Sequence, residues 1–142
     1  MKFNFSLNSV LKVREHQETF QKQRLAQELQ NKKRIERIRS EVNHKLDSYL
    51  KENQFEQVAS IHTMKRYGSH ILEANQQIHQ LNQKESSAEK KVHNEQVKLE
   101  KAHKEKHIME KAREFEFNIF SQKLSRSEQN SMDEIAVQLY SR

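Results

Sequence analysis

Hydrophobic side chains in the second half of the chain recur at alternating steps of three and four: Met64, Tyr67, Ile71, Ala74, Ile78, Leu81, Ala88, Val92, Leu99, Ala102 and Met109. That spacing holds one stripe of a helix toward a neighbour and predicts a coiled-coil seam. The same lattice passes through Glu85, Glu95 and Lys106, so charges interrupt it, and Ala74, Ala88 and Ala102 set small residues between larger ones. In the first half the best run is Ile35, Ile38, Val42, Leu46 and Tyr49, continued sparsely back through Leu29, Leu25, Phe20, Val13, Leu11 and Leu7. Its steps drift, and the fours on either side of Val42 read as a stutter.

These patterns predict an all-α fold: a long antiparallel two-helix coiled-coil hairpin over residues 1–142, taken as one elongated domain. Helix 1 is expected over about 8–50, a turn over about 51–59, where neither pattern runs, and helix 2 over about 60–140, capped by Ser60. Gly68, the only glycine, competes for the turn. The lattice runs through Met64, Tyr67 and Ile71 without a change of phase, and a lone glycine inside a helix costs only about 1 kcal/mol, so the turn belongs earlier. A reversal near residue 55 would set Ile35 near Ala74, Ile38 near Ile71, Val42 near Tyr67, Leu46 near Met64 and Leu11 near Leu99. A first helix of ~65 Å and a second of ~120 Å, at 1.5 Å per residue, leave the second overhanging from about residue 110. The overhang carries Phe115, Phe117, Ile119, Phe120 and Leu124, then Met132, Ile135, Ala136, Leu139 and Tyr140. Either an external partner covers these groups, or Phe3, Phe5 and Leu7 fold back on Phe115 and Phe120.

Composition supports helices that share a narrow seam over a compact globule. Only 33% of residues are hydrophobic and 32% are charged, with a mean hydropathy of -1.12. There is too little apolar material for a thick core, yet the chain has no proline and abounds in Gln, Glu, Lys, Arg and Leu, unlike most disordered segments. The absence of cysteine removes disulfides and thiolate chemistry and suits a reducing cytoplasm. The start, residues 1–15, lacks the apolar run of a secretory signal, and no stretch approaches the ~18 apolar residues of a membrane span, so neither cleavage nor membrane insertion is expected.

The net charge of +6 raises nucleic acid as a partner. Basic blocks at Lys32, Lys33, Arg34, Arg37 and Arg39 and from Lys90 to Lys111 are its candidates. The second is interleaved with glutamates, and Glu18 with Lys22, Glu28 with Lys32, Glu41 with Lys45 and Glu100 with Lys104 have the favourable i,i+4 order. A solvated helix face accounts for them, and no nucleic acid is expected. His103 and His107 have the spacing of two imidazoles on one metal, but lysines flank them and no third ligand is apparent. With one glycine, no thiol and no concavity to gather Ser, His and Asp, neither a cofactor nor catalysis is expected.

The opening Phe3-x-Phe5-x-Leu7-x-x-Val10-Leu11-x-Val13-Arg14-Glu15, a tyrosine-bearing hairpin region, and the tail Glu128-Gln129-x-x-x-Asp133-Glu134-x-Ala136-x-x-x-Tyr140-x-Arg142 together resemble the flagellar FliJ family. The stretch from Lys51 to Ala59 departs from many relatives in having no glycine. The resemblance implies an antiparallel coiled coil similar to the central stalk of rotary ATPases, non-enzymatic, and a component of flagellar protein export. It implies binding to the hexameric export ATPase through the end bearing both termini, to the membrane export gate through exposed hairpin residues, and to export substrate chaperones. Localisation would be cytoplasmic, peripherally at the inner face of the cell membrane through the export apparatus. Carried onto this sequence, Leu7, Leu11, Arg14, Met132, Ile135 and Leu139 are candidates for the ATPase end. Tyr49, Tyr67, His70, Ala74 and Leu81 are candidates for the gate surface, although Tyr49, Tyr67, Ala74 and Leu81 also fit as ordinary seam residues. The competing readings are the stalk of a virulence-type secretion ATPase and a generic coiled coil that homodimerises through its C-terminal overhang.

Overall fold

The structure is a computed structural model and describes residues 2–53 and 61–141. It contains two helices, α1 (Asn8–Asn53) and α2 (Ile61–Tyr140). The first runs past its expected end at Leu50. From residue 54 on, the expected turn and the Ser60 cap lie outside the described residues. Gly68 sits inside α2 with a negative φ and open space around it, as the uninterrupted lattice required.

One compact unit consists of residues 22–98. Lys32 meets Glu89, Arg39 meets Glu85 and Tyr49 meets Tyr67, so numbers rise on α1 as they fall on α2 and the helices run antiparallel. The covered positions of α2 here are Tyr67, Ile71, Ala74, Ile78, Leu81, Glu85, Ala88, Val92 and Glu95, which is the expected lattice with its glutamates included. On α1, Leu25, Glu28, Lys32, Ile35, Arg39, Val42, Leu46 and Tyr49 are half-buried at an unbroken alternation of threes and fours, with Asn31, Glu36, Ser48 and Leu50 half-buried beside them. The expected stutter is therefore absent from this stretch of α1. Ile38 and Leu29, assigned to the seam by sequence, lie beside it and are more than a third exposed. Ala88 and Val92 are buried, Ala88 most completely.

The pairing register differs from the one expected. Tyr49, not Val42, meets Tyr67, and Arg39 meets Asn82 and Glu85, where Ile38 was placed near Ile71. Along α2 the displacement at Arg39 is about eleven to fourteen residues, or ~16–21 Å. The expected register matched apolar residues only, whereas the observed one also brings Lys32 to Glu89, Arg39 to Glu85 and Glu18 to Lys106. Because Tyr49 already reaches Tyr67, little of α1 remains to cover Met64, which is 62% exposed and not a seam residue.

The other unit comprises residues 1–21 and 99–142. Ser6 donates its backbone N–H to Glu116 Oε2 at 3.2 Å, Arg14 pairs with Glu105 at 2.8 Å, and Glu18 with Lys106 at 3.5 Å, so this pairing is antiparallel too. Leu11 is buried here together with Phe5 and Ala102. Ahead of α1, Phe3 packs edge-on against Phe117 with ring centroids 5.2 Å apart and lies 5.5 Å from Phe120. The fold-back of the N-terminal phenylalanines thus forms, with Phe117 taking the place expected of Phe115, which is 68% exposed. Val13 and Phe20 lie outside the seam, both about half exposed.

Two substitutions two residues apart separate the observed seam from the one read off the apolar residues. Leu11→Ala should destabilise the chain by about 2–4 kcal/mol through lost burial and an unfilled cavity. Val13→Ala should be neutral or stabilise by a few tenths of a kcal/mol, because an exposed β-branched residue gives way to a better helix former. Thermal unfolding followed by circular dichroism reads both, and equal losses would contradict the assignment.

Candidate protein-docking surfaces

In the unit of residues 1–21 and 99–142, Glu18 is the buried charge around which the others are arranged. Its carboxylate lies in the seam, with Lys106 Nζ at 3.5 Å and His103 Nδ1 at 3.2 Å from Oε2. Burial of an isolated carboxylate would cost several kcal/mol, so opposite charges across the interface are a condition of this packing. Glu18 beside it, with help from Glu110, holds the Lys106 ammonium above its ordinary value of 10.5 against the opposing effect of burial. Sequence reading saw Lys106 only as a break in the lattice, and it is half of a cross-helix pair.

His103 and His107 do not act together. His103 faces Glu18, and His107 Nδ1 lies 3.8 Å from Glu110 in its own helix. Among the described residues no three His, Asp or Glu side chains gather as metal ligands.

The six residues proposed for the ATPase end fall into two groups. Leu7 directly precedes α1, and Leu11 and Arg14 lie on its first two turns. Leu11 is buried in the seam, Arg14 is half-buried and donates to Glu105 and to Gln17, and Leu7 is 42% exposed. Met132, Ile135 and Leu139 lie on α2 at spacings of three and four and share one stripe, each more than half exposed. From residue 125 to residue 140 every position of α2 is exposed. The structure does not bring the two groups together. Ser6 contacts Glu116, and Met132 lies sixteen residues, ~24 Å, further along the helix.

The residues proposed for the gate surface all belong to the unit of residues 22–98. Tyr49 stacks on Tyr67 with centroids 5.5 Å apart and planes 25° apart, and meets the His70 ring edge-on at 5.4 Å. Such ring pairs contribute about 0.5–1.5 kcal/mol beyond their burial. His70 is exposed, Tyr49, Tyr67, Ala74 and Leu81 are half-buried, and the exposed apolar Ile61, Met64 and Leu72 continue along α2. Tyr49 and Tyr67 therefore hold the two helices together whatever else they contact. Ile61 and Leu72 were not singled out by sequence because they lie off the seam lattice, and only their exposure marks them.

The fold and these surfaces define an all-α protein of the antiparallel helical-hairpin type, with apolar side chains left uncovered at α2. The chain belongs to the flagellar FliJ protein family: the family model, described as "Flagellar FliJ protein", matches residues 2–142. Comparison with curated proteins and with solved structures returns no match. At the level of the family the chain is a component of flagellar protein export. No described helix is long and apolar enough to cross a membrane.

The Lys106 pair sets an alkaline limit on stability. A lysine whose folded value exceeds its unfolded one contributes fully below the unfolded value, and the contribution is lost as pH rises through the folded value. Stability should therefore be flat in this respect below about pH 10 and fall above the ordinary lysine value of 10.5. Lys106→Met should lower stability at neutral pH and lack that alkaline increment. Urea unfolding at pH 8 and pH 11 measures both.

Proposed function

We propose that this chain is a non-enzymatic coiled-coil component of flagellar export that docks on the hexameric export ATPase. The uncovered stripe of α2, Met132, Ile135 and Leu139, would make the contact, with Leu7 and Arg14 as candidates for a second, separate contact and Leu11 holding α1 in its seam. The stripe supports this reading more than any other observation. Three large apolar side chains on one face of a helix have nothing from the described residues over them, and burying each against a partner contributes on the order of 1–2 kcal/mol. Tyr49, Tyr67, His70, Ala74 and Leu81, together with the exposed Ile61 and Leu72, would form a second surface, for the cytoplasmic part of the export gate. Substrate chaperones would be further partners. A helix pair that contacts the ATPase differently in its nucleotide states couples those states to whatever else it binds. Promotion of ring assembly and of turnover follows from such coupling, with no nucleotide held by this chain.

The test uses the purified chain and the export ATPase of the same organism. Wild-type chain should raise both the oligomeric fraction and the turnover of the ATPase. The variant Met132→Ser, Ile135→Ser, Leu139→Ser should lose at least tenfold in apparent affinity, as expected when about 1.4 kcal/mol or more of apolar burial is removed. Its helical circular dichroism should stay near that of the wild type, because these side chains take no part in the seam. If wild-type chain changes neither assembly nor turnover, the ATPase reading is wrong.

A further inference from the structure

A groove of about 500 Å³ lies in the unit of residues 22–98 and shares Leu81 with the candidate gate surface. Its floor is apolar, formed by Ile35, Ile38 and Leu81, and its rim carries Arg34 from α1 and Lys84 and Lys91 from α2. Two basic residues at the seam of this unit are paired with carboxylates. Lys32 is paired with Glu36 and Glu89 in place of the expected Glu28, and Arg39 is paired with Glu85. The rim cations are treated differently. Arg34 donates only to the Asn31 side-chain oxygen at 2.9 Å, and neither Lys84 nor Lys91 has a carboxylate within ion-pair distance among the described residues.

We propose that this groove is a docking site for an acidic amphipathic helix of a partner protein. Such a helix would lay an apolar stripe on Ile35, Ile38 and Leu81 and set flanking carboxylates toward Arg34, Lys84 and Lys91. Complementary charge fixes the occupant's chemistry: an apolar floor alone would accept any hydrophobic helix, and three unpaired cations around it select the acidic kind. Nucleic acid fits less well. No aromatic ring lines the groove to stack a base, and the apolar floor has nothing to offer a phosphate backbone. The site is separate from the exposed stripe of α2, and its occupancy does not depend on the ATPase reading.

The experiment measures binding of the full-length chain to a synthetic peptide with leucines along one helical stripe and glutamates flanking it. A second peptide with lysines in place of the glutamates and a single-stranded oligothymidylate serve as competing probes. The wild-type chain should bind the acidic peptide in preference to both others. Arg34→Glu, Lys84→Glu, Lys91→Glu should weaken that binding by at least about tenfold, the combined effect of three exposed charge contacts. The same variant should gain affinity for the lysine peptide, a gain that unfolding could not produce. Failure of the acidic peptide to bind, equal binding to wild type and variant, or preferential binding of the oligothymidylate lost in the same variant would each overturn the proposal.

Discussion

Charges placed inside a narrow apolar seam favour partners of opposite sign across it, and pairs of this kind mark the register of this protein. A buried carboxylate or ammonium left alone costs far more than the shift of a few methyl groups from one hole to another. Glu18 with Lys106 in one unit, and Arg39 with Glu85 in the other, occupy positions that a purely apolar coiled coil would fill with leucine. Replacing such pairs by apolar residues is often neutral or stabilising, so their value lies in specificity: they distinguish one register from its neighbours, which apolar seams with similar repeats do poorly. The seam is not fully satisfied. Among the described residues, Gln21 Oε1 and Glu95 Oε2 are buried without a hydrogen-bond partner, and the cation nearest Glu95 is Lys98 of its own helix, 3.5 Å from Oε1.

Much of this architecture is legible from residue spacing. The lattice from Tyr67 to Met109 is the covered face of α2, and the helices are where periodicity and the lack of proline placed them. The register was not legible, because apolar residues alone were matched. Had the threes and fours on α1 been followed through Arg14, Glu18, Lys32 and Arg39, those residues would have stood opposite Glu105, Lys106, Glu89 and Glu85, and the opposite signs would have signalled the alignment. Ile38, Val13 and Phe20 misled for the converse reason: they are apolar but lie off the lattice, and the structure leaves them partly exposed.

The candidate surfaces were legible to different degrees. Met132, Ile135 and Leu139 stood out because they continue an apolar pattern beyond the reach of α1, and their exposure agrees with that logic. Leu11 and Arg14 carry structural duties in the seam, so substitutions there report on folding before they report on a partner. The basic groove depends on which cations lack carboxylates, a property of three-dimensional pairing that a count of lysines and arginines cannot give. Family membership supplies the setting, flagellar export, and the uncovered side chains supply the places where contact with other proteins is chemically favoured.

The most direct test of the organising role of seam charges is a double-mutant cycle on Arg39 and Glu85, read by equilibrium unfolding. Each single change to leucine leaves one charge without its partner and should destabilise the chain, while Arg39→Leu with Glu85→Leu should approach wild-type stability. A coupling energy of about 1–3 kcal/mol between the two positions is the predicted result. Additive effects, with a coupling near zero, would mean that this pair does not hold the helices in register.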